Sequence, residues 1–163
     1  MKALVIYDSF FGNTEQIARA VGAAIGNALA SHAEVQTLRV GDVKPTHLMG
    51  LKLLIVGSPT RSFSASPATK AWLKALAPNS LRGIKVAAFD TRADMNDVNS
   101  RTLTAVVKLF GYAAEPIASS LTKRGGALVV PAEGFFIEDK GGPLKDGELE
   151  RAAAWAQQIA AQV

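Results

Sequence analysis

Residues 7–18 read YDSFFGNTEQIA and join a short apolar run to a stretch of helical periodicity. The preceding run at residues 3–7 is almost entirely apolar, which is typical of a strand buried on both faces. Beyond the loop, apolar side chains recur at helical spacing over residues 14–30, and Asn13 or Thr14 can cap that helix. This segment therefore predicts a strand, a tight loop and a helix in succession, the unit from which α/β folds are built.

The rest of the chain alternates in the same way. Apolar runs at 51–56 and 84–89 predict two more central strands, and the more polar run at 34–40 predicts an edge strand. A fifth strand is predicted at 127–130, where Pro131 ends its ladder. Further helices are predicted at 67–76, 99–110, 113–124 and from Leu149 to the end of the chain. The alternation predicts an α/β fold in which helices cover both faces of a parallel sheet.

Composition narrows the class of protein. The 163 residues are 48% hydrophobic, which matches a single compact domain spanning 1–163, and the absence of cysteine excludes disulfides and thiol chemistry. The net charge of +4 comes from scattered residues, with Lys123 and Arg124 the only adjacent basic pair, so we expect no nucleic-acid partner. No run has the length of a signal-peptide core or a membrane span, so we expect a cytoplasmic protein without a membrane partner.

The loop at residues 9–14 has the composition of an anion site. Its backbone N–H groups lie at the positive end of the following helix, where they have no intrahelical acceptor. Ser9 and Thr14 add hydroxyl donors, Gly12 permits close backbone approach, and Asn13 can bridge the turn. Neither a Walker lysine nor a G-x-G-x-x-G fingerprint is present, which leaves a monophosphate held by neutral donors.

Two exposed rings in the same loop have two possible uses. Phe10 and Phe11 would either border the phosphate, where one ring shields it or contacts a partner, or fold back onto the core. In the second case they staple the first helix in place. The residues alone leave both uses open.

Residues 5–18, VIYDSFFGNTEQIA, resemble the phosphate-loop signature of the flavodoxin family at every defined position. The resemblance extends to GSPTR at 57–61, FDTR at 89–92, EGFF at 133–136 and GPLKDGELE at 142–150, and so covers essentially the whole chain. It implies a flavodoxin-like, doubly wound sheet of five parallel strands in the order 2-1-3-4-5. It also implies that FMN binds at the carboxyl ends of the strands, where the strand order reverses.

The same resemblance implies three FMN-binding segments, the first for the phosphate and the others for the ribityl chain and flavin ring, with Phe63 as a stacking face. The implied residues are Ser9, Phe10, Phe11, Gly12, Asn13, Thr14, Ser58, Pro59, Thr60, Arg61, Ser62, Phe63, Asp90, Thr91 and Arg92. The third segment departs from the family pattern, because residues 91–100 contain no Phe, Tyr or Trp. That face of the ring would then be either open or covered by Met95, Phe110, Tyr112 or a second subunit.

Charge is a second departure from the family. Electron carriers of the flavodoxin family are typically acidic and dock on basic partners, whereas this chain is net positive. Arg61 and Arg92 are expected near the ring, where they would stabilise the anionic reduced flavin and raise its potential. His32 and His47 have no partners at metal-ligand spacing, so no metal site is predicted.

Three functions remain compatible with the motifs. The first is FMN-dependent electron transfer between redox partner proteins, by a monomer or a homodimer. The second is an FMN-dependent NAD(P)H:quinone reductase, which needs an open ring face for hydride transfer. The third is a non-flavin binding or regulatory module that keeps the fold without the cofactor.

Overall fold

In the computed structural model, which describes residues 1–95, 101–102, 105, 111–139 and 141–163, the strands form one parallel sheet. The strands are β1 (Lys2–Tyr7), β2 (Glu34–Arg39), β3 (Leu51–Pro59), β4 (Lys85–Ala93), β5 (Ala127–Leu128) and β6 (Glu133–Ile137). The helices are α1 (Asn13–Leu29), α2 (Pro45–Leu48), α3 (Pro67–Ala75), α4 (Ala114–Lys123) and α5 (Glu148–Ala160). The sheet order, β2-β1-β3-β4-β5, confirms the predicted order.

Side chains of the central strands point alternately to two buried cores, which explains why these strands are apolar throughout. Val5 and Tyr7 of β1 face a core formed with α1 and α5, whereas Leu4 and Ile6 face a second core formed with α3 and α4. Because both faces are covered, every position of such a strand is buried and the polar alternation of a half-exposed strand disappears. An aromatic cluster, Phe89, Phe135 and Trp155, fills the first core with edge-to-face contacts at centroid distances of 6.0 to 6.1 Å.

Two glycines allow close packing in the interior. A Cβ at Gly22 of α1 would lie 2.3 Å from Oγ1 of Thr37 on β2, so the helix approaches the sheet closely there. At Gly57 of β3, a Cβ would lie 2.0 Å from the ring of Phe89 on the neighbouring strand β4. The Phe89 ring therefore occupies the space that any larger residue at position 57 would need.

The far edge of β4 is shared by two short strands. β5 pairs with Lys85 and Val86, and β6 pairs further along β4 with residues 89–93. Pro131 lies between them and has no N–H to donate, so the ladder is interrupted there. The fifth strand is thus shorter than the predicted 127–130, and the edge resumes at Glu133.

β3 and β4 extend further than their apolar runs. They remain paired through Ser58 with Asp90 and Pro59 with Thr91, and β4 ends at Ala93. The strands predicted at 51–56 and 84–89 were therefore too short at their carboxyl ends. Polar side chains in this part of β4 interrupt the apolar pattern by which a buried strand is recognised.

The helices at 14–30, 67–76 and 113–124 are confirmed within one residue at each end, and the terminal helix is α5. The short helix α2 was not predicted. The helix predicted at 99–110 lies largely outside the described residues. Within the part of the chain that the structure describes, no helix is long and apolar enough to cross a membrane.

Candidate functional site

The loop between β1 and α1 lies where the strand order reverses. The chain leaves β1 toward β2 on one side, whereas the next strand, β3, pairs with β1 on the other side. At such a switch point the two crossovers diverge and leave a crevice beyond the carboxyl ends of the strands. Gly12, with φ of 89°, turns the loop directly into the first helical residue, Asn13.

An ion pair fixes the beginning of this loop. The buried carboxylate of Asp8 accepts hydrogen bonds from the backbone N–H of Ser9 at 2.9 Å and from the guanidinium of Arg39 at 3.2 and 3.3 Å. Arg39 also donates to the Ser9 carbonyl. Sequence reasoning missed this role for Arg39, because it is the last residue of β2 and only the pairing of β1 with β2 brings it to Asp8.

The first turn of α1 presents several donors without acceptors. Among the described residues, the backbone N–H groups of Asn13, Thr14 and Glu15 have no hydrogen-bond partner, whereas Gln16 donates to the Gly12 carbonyl at 3.0 Å. These N–H groups carry the positive end of the helix dipole. The Ser9 hydroxyl accepts from the Gly12 N–H at 3.0 Å, which leaves its own proton free to be donated.

The second segment is a tight hairpin with a strained tip. The backbone N–H and C=O of Arg61 are both bonded to those of Ser64, at 3.0 Å each, which leaves a two-residue turn. Ser62 and Phe63, the turn residues, have φ of 47° and 63°. Positive φ at both positions is the requirement of a type I′ turn, which usually contains Asn or Gly, so this turn stores strain.

Ser58 and Thr60 anchor that hairpin to its surroundings. The Ser58 hydroxyl is buried and accepts from the Ser66 N–H at 2.9 Å, so it joins the two ends of the segment. The Thr60 hydroxyl accepts from the Ala113 N–H at 3.0 Å, and the backbone N–H of Thr60 donates to the Thr91 carbonyl at 2.9 Å. Both side chains therefore hold the loop in position.

Successive side chains of β4 point to opposite faces of the sheet, so Asp90 and Arg92 of the third segment lie on one face and Thr91 on the other. The Asp90 carboxylate is fully buried, pairs with both Nε and Nη2 of Arg92 at 2.6 and 2.8 Å, and accepts from the Ala114 N–H at the start of α4. Burial raises the pKa of the Asp90 carboxyl, and the bonds from Arg92 and Ala114 oppose that rise. The Arg92 guanidinium also stacks on the Tyr112 ring, 3.7 Å from its centroid.

Thr91 faces the opposite way, toward α1. Its hydroxyl lies 2.7 Å from the hydroxyl of Thr14 in the first turn of that helix, and both side chains are buried. Asp90 and Arg92 are thus engaged in an ion pair beside α4, while Thr91 borders the crevice. Tyr112, one of the side chains considered for the open ring face, is covered by Arg92.

An open pocket of about 330 Å³ lies between the three segments. Ten of the fifteen predicted residues line it, namely Ser9, Phe10, Phe11, Asn13, Thr14, Pro59, Thr60, Arg61, Ser62 and Thr91. Gly12, Ser58, Phe63, Asp90 and Arg92 do not line it. The other described residues of the wall are Ala93, Ile137 and Gly141. Sequence reasoning missed them because the pairing of β4 with β6, which joins Ala93 to Ile137, brings this part of the chain to the crevice.

The two phenylalanines border the pocket on different sides. Phe10 is 43% exposed and lies under the Arg61 guanidinium, 5.0 Å from its ring centroid, so the first two segments meet across the opening. Phe11 is 64% exposed and packs against Gly141, where a Cβ would come within 2.8 Å of its ring. Asn13 fastens the same side by donating to the Gly142 carbonyl at 2.6 Å.

The architecture, with its crevice at the β1/β3 switch point, is a flavodoxin fold. The chain is similar to an archaeal flavodoxin at 24% identity and a TM-score of 0.77, covering 99% of this chain and 97% of that one. Flavodoxin 1 from Bacillus cereus matches at 17% identity and a TM-score of 0.75, covering 100% and 99%. These likenesses confirm the fold that the motifs predicted.

A larger protein contains the same fold as one part. The rubredoxin oxygen:oxidoreductase of Desulfovibrio gigas matches at 19% identity and a TM-score of 0.71, and the chain covers 35% of it. No protein-family model and no curated protein matches the sequence. The structural likeness therefore establishes the fold, and the activity has to be inferred from the pocket.

Proposed function

We propose that the protein binds FMN in the pocket between the three segments and transfers electrons between redox partner proteins. The observation that carries this proposal is the set of donors at one end of the pocket. The free N–H groups of Asn13 and Thr14 and the Ser9 hydroxyl border the same cavity as the aromatic rings of Phe10 and Phe11. A phosphate at the donors and a flat ring between apolar walls match this composition.

The residues present fit FMN by their chemistry. The donors are neutral, and no lysine lies in the loop, which suits one phosphate better than a di- or triphosphate. Thr60, Ser62 and Thr91 also line the pocket, and their hydroxyl and backbone groups would meet the ribityl chain. Ile137 and Ala93 supply an apolar wall, and Arg61 a positive charge at the opening.

The chain's own contribution is to hold and bias the cofactor. FMN, when bound, supplies the reversible uptake of electrons, and the protein sets its potential and its exposure. The Thr14–Thr91 contact and the Asp8–Arg39 ion pair keep the phosphate donors fixed relative to β4 and β2. Arg61 at the opening would favour the reduced, anionic form of the ring.

Titration of the protein with FMN and with riboflavin tests the proposal. We expect FMN to bind with quenching of its fluorescence, and riboflavin, which lacks the phosphate, to bind far more weakly. Ser9→Ala should weaken FMN but leave riboflavin unchanged, whereas Ser119→Ala, an exposed serine on α4, should change neither. Equal binding of the two flavins, or binding of neither by folded protein, would refute the proposal. NADPH oxidation with a quinone should be absent, and its presence would favour the reductase.

A further inference from the structure

Positive charge is concentrated in two parts of the sequence. Residues 43–89 contain seven lysines and arginines and no aspartate or glutamate. Residues 116–132 contain Lys123 and Arg124 and again no acidic residue. All 14 acidic residues of the chain therefore lie elsewhere, and the modest net charge of +4 conceals a strong separation of charge.

The fold brings these two segments together at one groove. Between α3 and α4 lies an open groove of about 370 Å³ whose floor includes Leu73 and Ile117. Four cationic side chains line it, Lys70 and Lys74 from α3 and Lys123 and Arg124 from the end of α4. An apolar floor with a cationic border suits a partner that presents carboxylates around an apolar contact.

The groove cations are not neutralised by the protein itself. Elsewhere, Arg19, Arg39, Arg92, Lys145 and Arg151 each form an ion pair with a carboxylate. Within the described parts of the chain, none of the four groove cations, nor Arg61 at the pocket opening, has such a partner. Their charge is therefore available to a ligand from outside.

One hairpin borders both the groove and the candidate flavin pocket. Ser64 lines the groove and accepts a hydrogen bond from Lys70 at 3.2 Å, while its backbone is paired with Arg61 of the pocket. Ser62, at the tip of the same hairpin, lines the pocket. A protein seated in the groove would thus contact the hairpin that borders the pocket.

We propose that the groove between α3 and α4 is the docking site for an acidic redox partner protein. The positive charge would then lie on this chain and the negative charge on its partner, the reverse of the arrangement in acidic electron carriers. This inference rests on the proposed function, because the groove matters for electron transfer only if the adjacent pocket holds FMN. The cations extend from the groove to Arg61, a breadth that favours a protein surface over a small anion. Among the described residues, no aromatic side chain lines the groove, which disfavours single-stranded nucleic acid.

A charge-reversal pair provides the test. The probe is an acidic [2Fe–2S] ferredoxin, and its affinity for the full-length protein is measured by calorimetry at low and high salt. We expect Lys74→Glu/Lys123→Glu to weaken binding about tenfold or more at low salt. The matched control, Lys44→Glu/Lys52→Glu, makes the same change in net charge at two exposed lysines that do not line the groove, and it should retain most of the affinity.

Several results would overturn the proposal. Equal loss in both variants would mean that only net charge matters, and no loss in either would place the partner elsewhere. Tighter groove-dependent binding of pyrophosphate or duplex DNA than of ferredoxin would assign the groove to another ligand. FMN titration of the same variants separates this proposal from the first. If FMN binds but the groove variants bind ferredoxin as tightly as the parent, only the docking proposal is refuted. If the groove variants lose ferredoxin affinity but the protein does not bind FMN, only the cofactor proposal is refuted.

Discussion

The hydroxyl oxygens of Thr14 and Thr91 lie 2.7 Å apart and join the first turn of α1 to β4 across the floor of the pocket. The two residues are 77 positions apart in sequence, and both side chains are buried. The contact ties the loop that would hold the phosphate to β4, which contributes Thr91 and Ala93 to the pocket. It therefore couples the position of the loop to the packing of the sheet.

A double-mutant cycle on this pair is the first prediction. Thr14→Val and Thr91→Val should each lower the free energy of unfolding by about 1–3 kcal/mol, because each leaves one buried hydroxyl without its partner. The double variant should lose less free energy of unfolding than the two single variants added together, since it removes both polar groups. Urea denaturation measures all three. Strict additivity would show that the two hydroxyls do not interact.

The strained turn at the tip of the hairpin gives the second prediction. Ser62→Gly should raise the free energy of unfolding by about 0.5–1 kcal/mol, because glycine adopts positive φ without the steric cost of a side chain. Ser62→Val should lower it by about 1 kcal/mol or more, since a β-branched residue is least tolerated there. Ser62→Ala keeps a Cβ without the hydroxyl and is the control. Thermal unfolding in which glycine and alanine behave alike would contradict this account.

Arg61 gives the third prediction, which concerns the cofactor. In the FMN-loaded protein, Arg61→Ala should lower the midpoint potential, because it removes a positive charge that stabilises the reduced anion. Arg61→Lys should retain most of the effect. Arg92, which was expected to act in the same way, is paired with Asp90 and lies outside the pocket wall. A spectroelectrochemical titration in which the alanine variant has the potential of the parent would refute the role of Arg61.

The buried ion pair gives the fourth prediction. Arg92→Met should lower the free energy of unfolding by about 3 kcal/mol, since it leaves the Asp90 carboxylate buried without its cation. Loss of the guanidinium raises the pKa of Asp90 further in the folded state, so the folded variant holds this proton more tightly than the unfolded chain. Its stability should therefore fall as pH rises from mildly acidic to neutral, relative to the parent.

The control for that prediction keeps the charge. Arg92→Lys should lose less stability at neutral pH, because an ammonium still faces the carboxylate although the bidentate geometry is gone. Denaturant unfolding at mildly acidic and at neutral pH distinguishes these variants. A deficit of Arg92→Met that is independent of pH would mean that Asp90 does not titrate differently in the two proteins.

Much of the fold could be predicted because its information is local. The apolar runs of β1, β3 and β4 reflect burial on both faces, and helical periodicity marks α1 and α5, so each element is recognisable from its own residues. The loop proposed to hold the phosphate was recognisable for the same reason, since Ser9, Gly12 and Thr14 lie within six consecutive positions. In contrast, the polar end of β4 and the interruption at Pro131 depended on pairing with neighbouring strands, and the strand limits there were predicted wrongly.

By itself, then, the sequence determined the order of strands and helices, the doubly wound sheet and the loop at its switch point. Only the tertiary structure decided which polar side chains reach the pocket. Because β4 extends to Ala93, alternation turns Thr91 toward α1 and the pocket, and turns Asp90 and Arg92 toward α4 and each other. The same holds for the cationic groove, because segments more than 40 residues apart meet there only after the helices pack on the sheet.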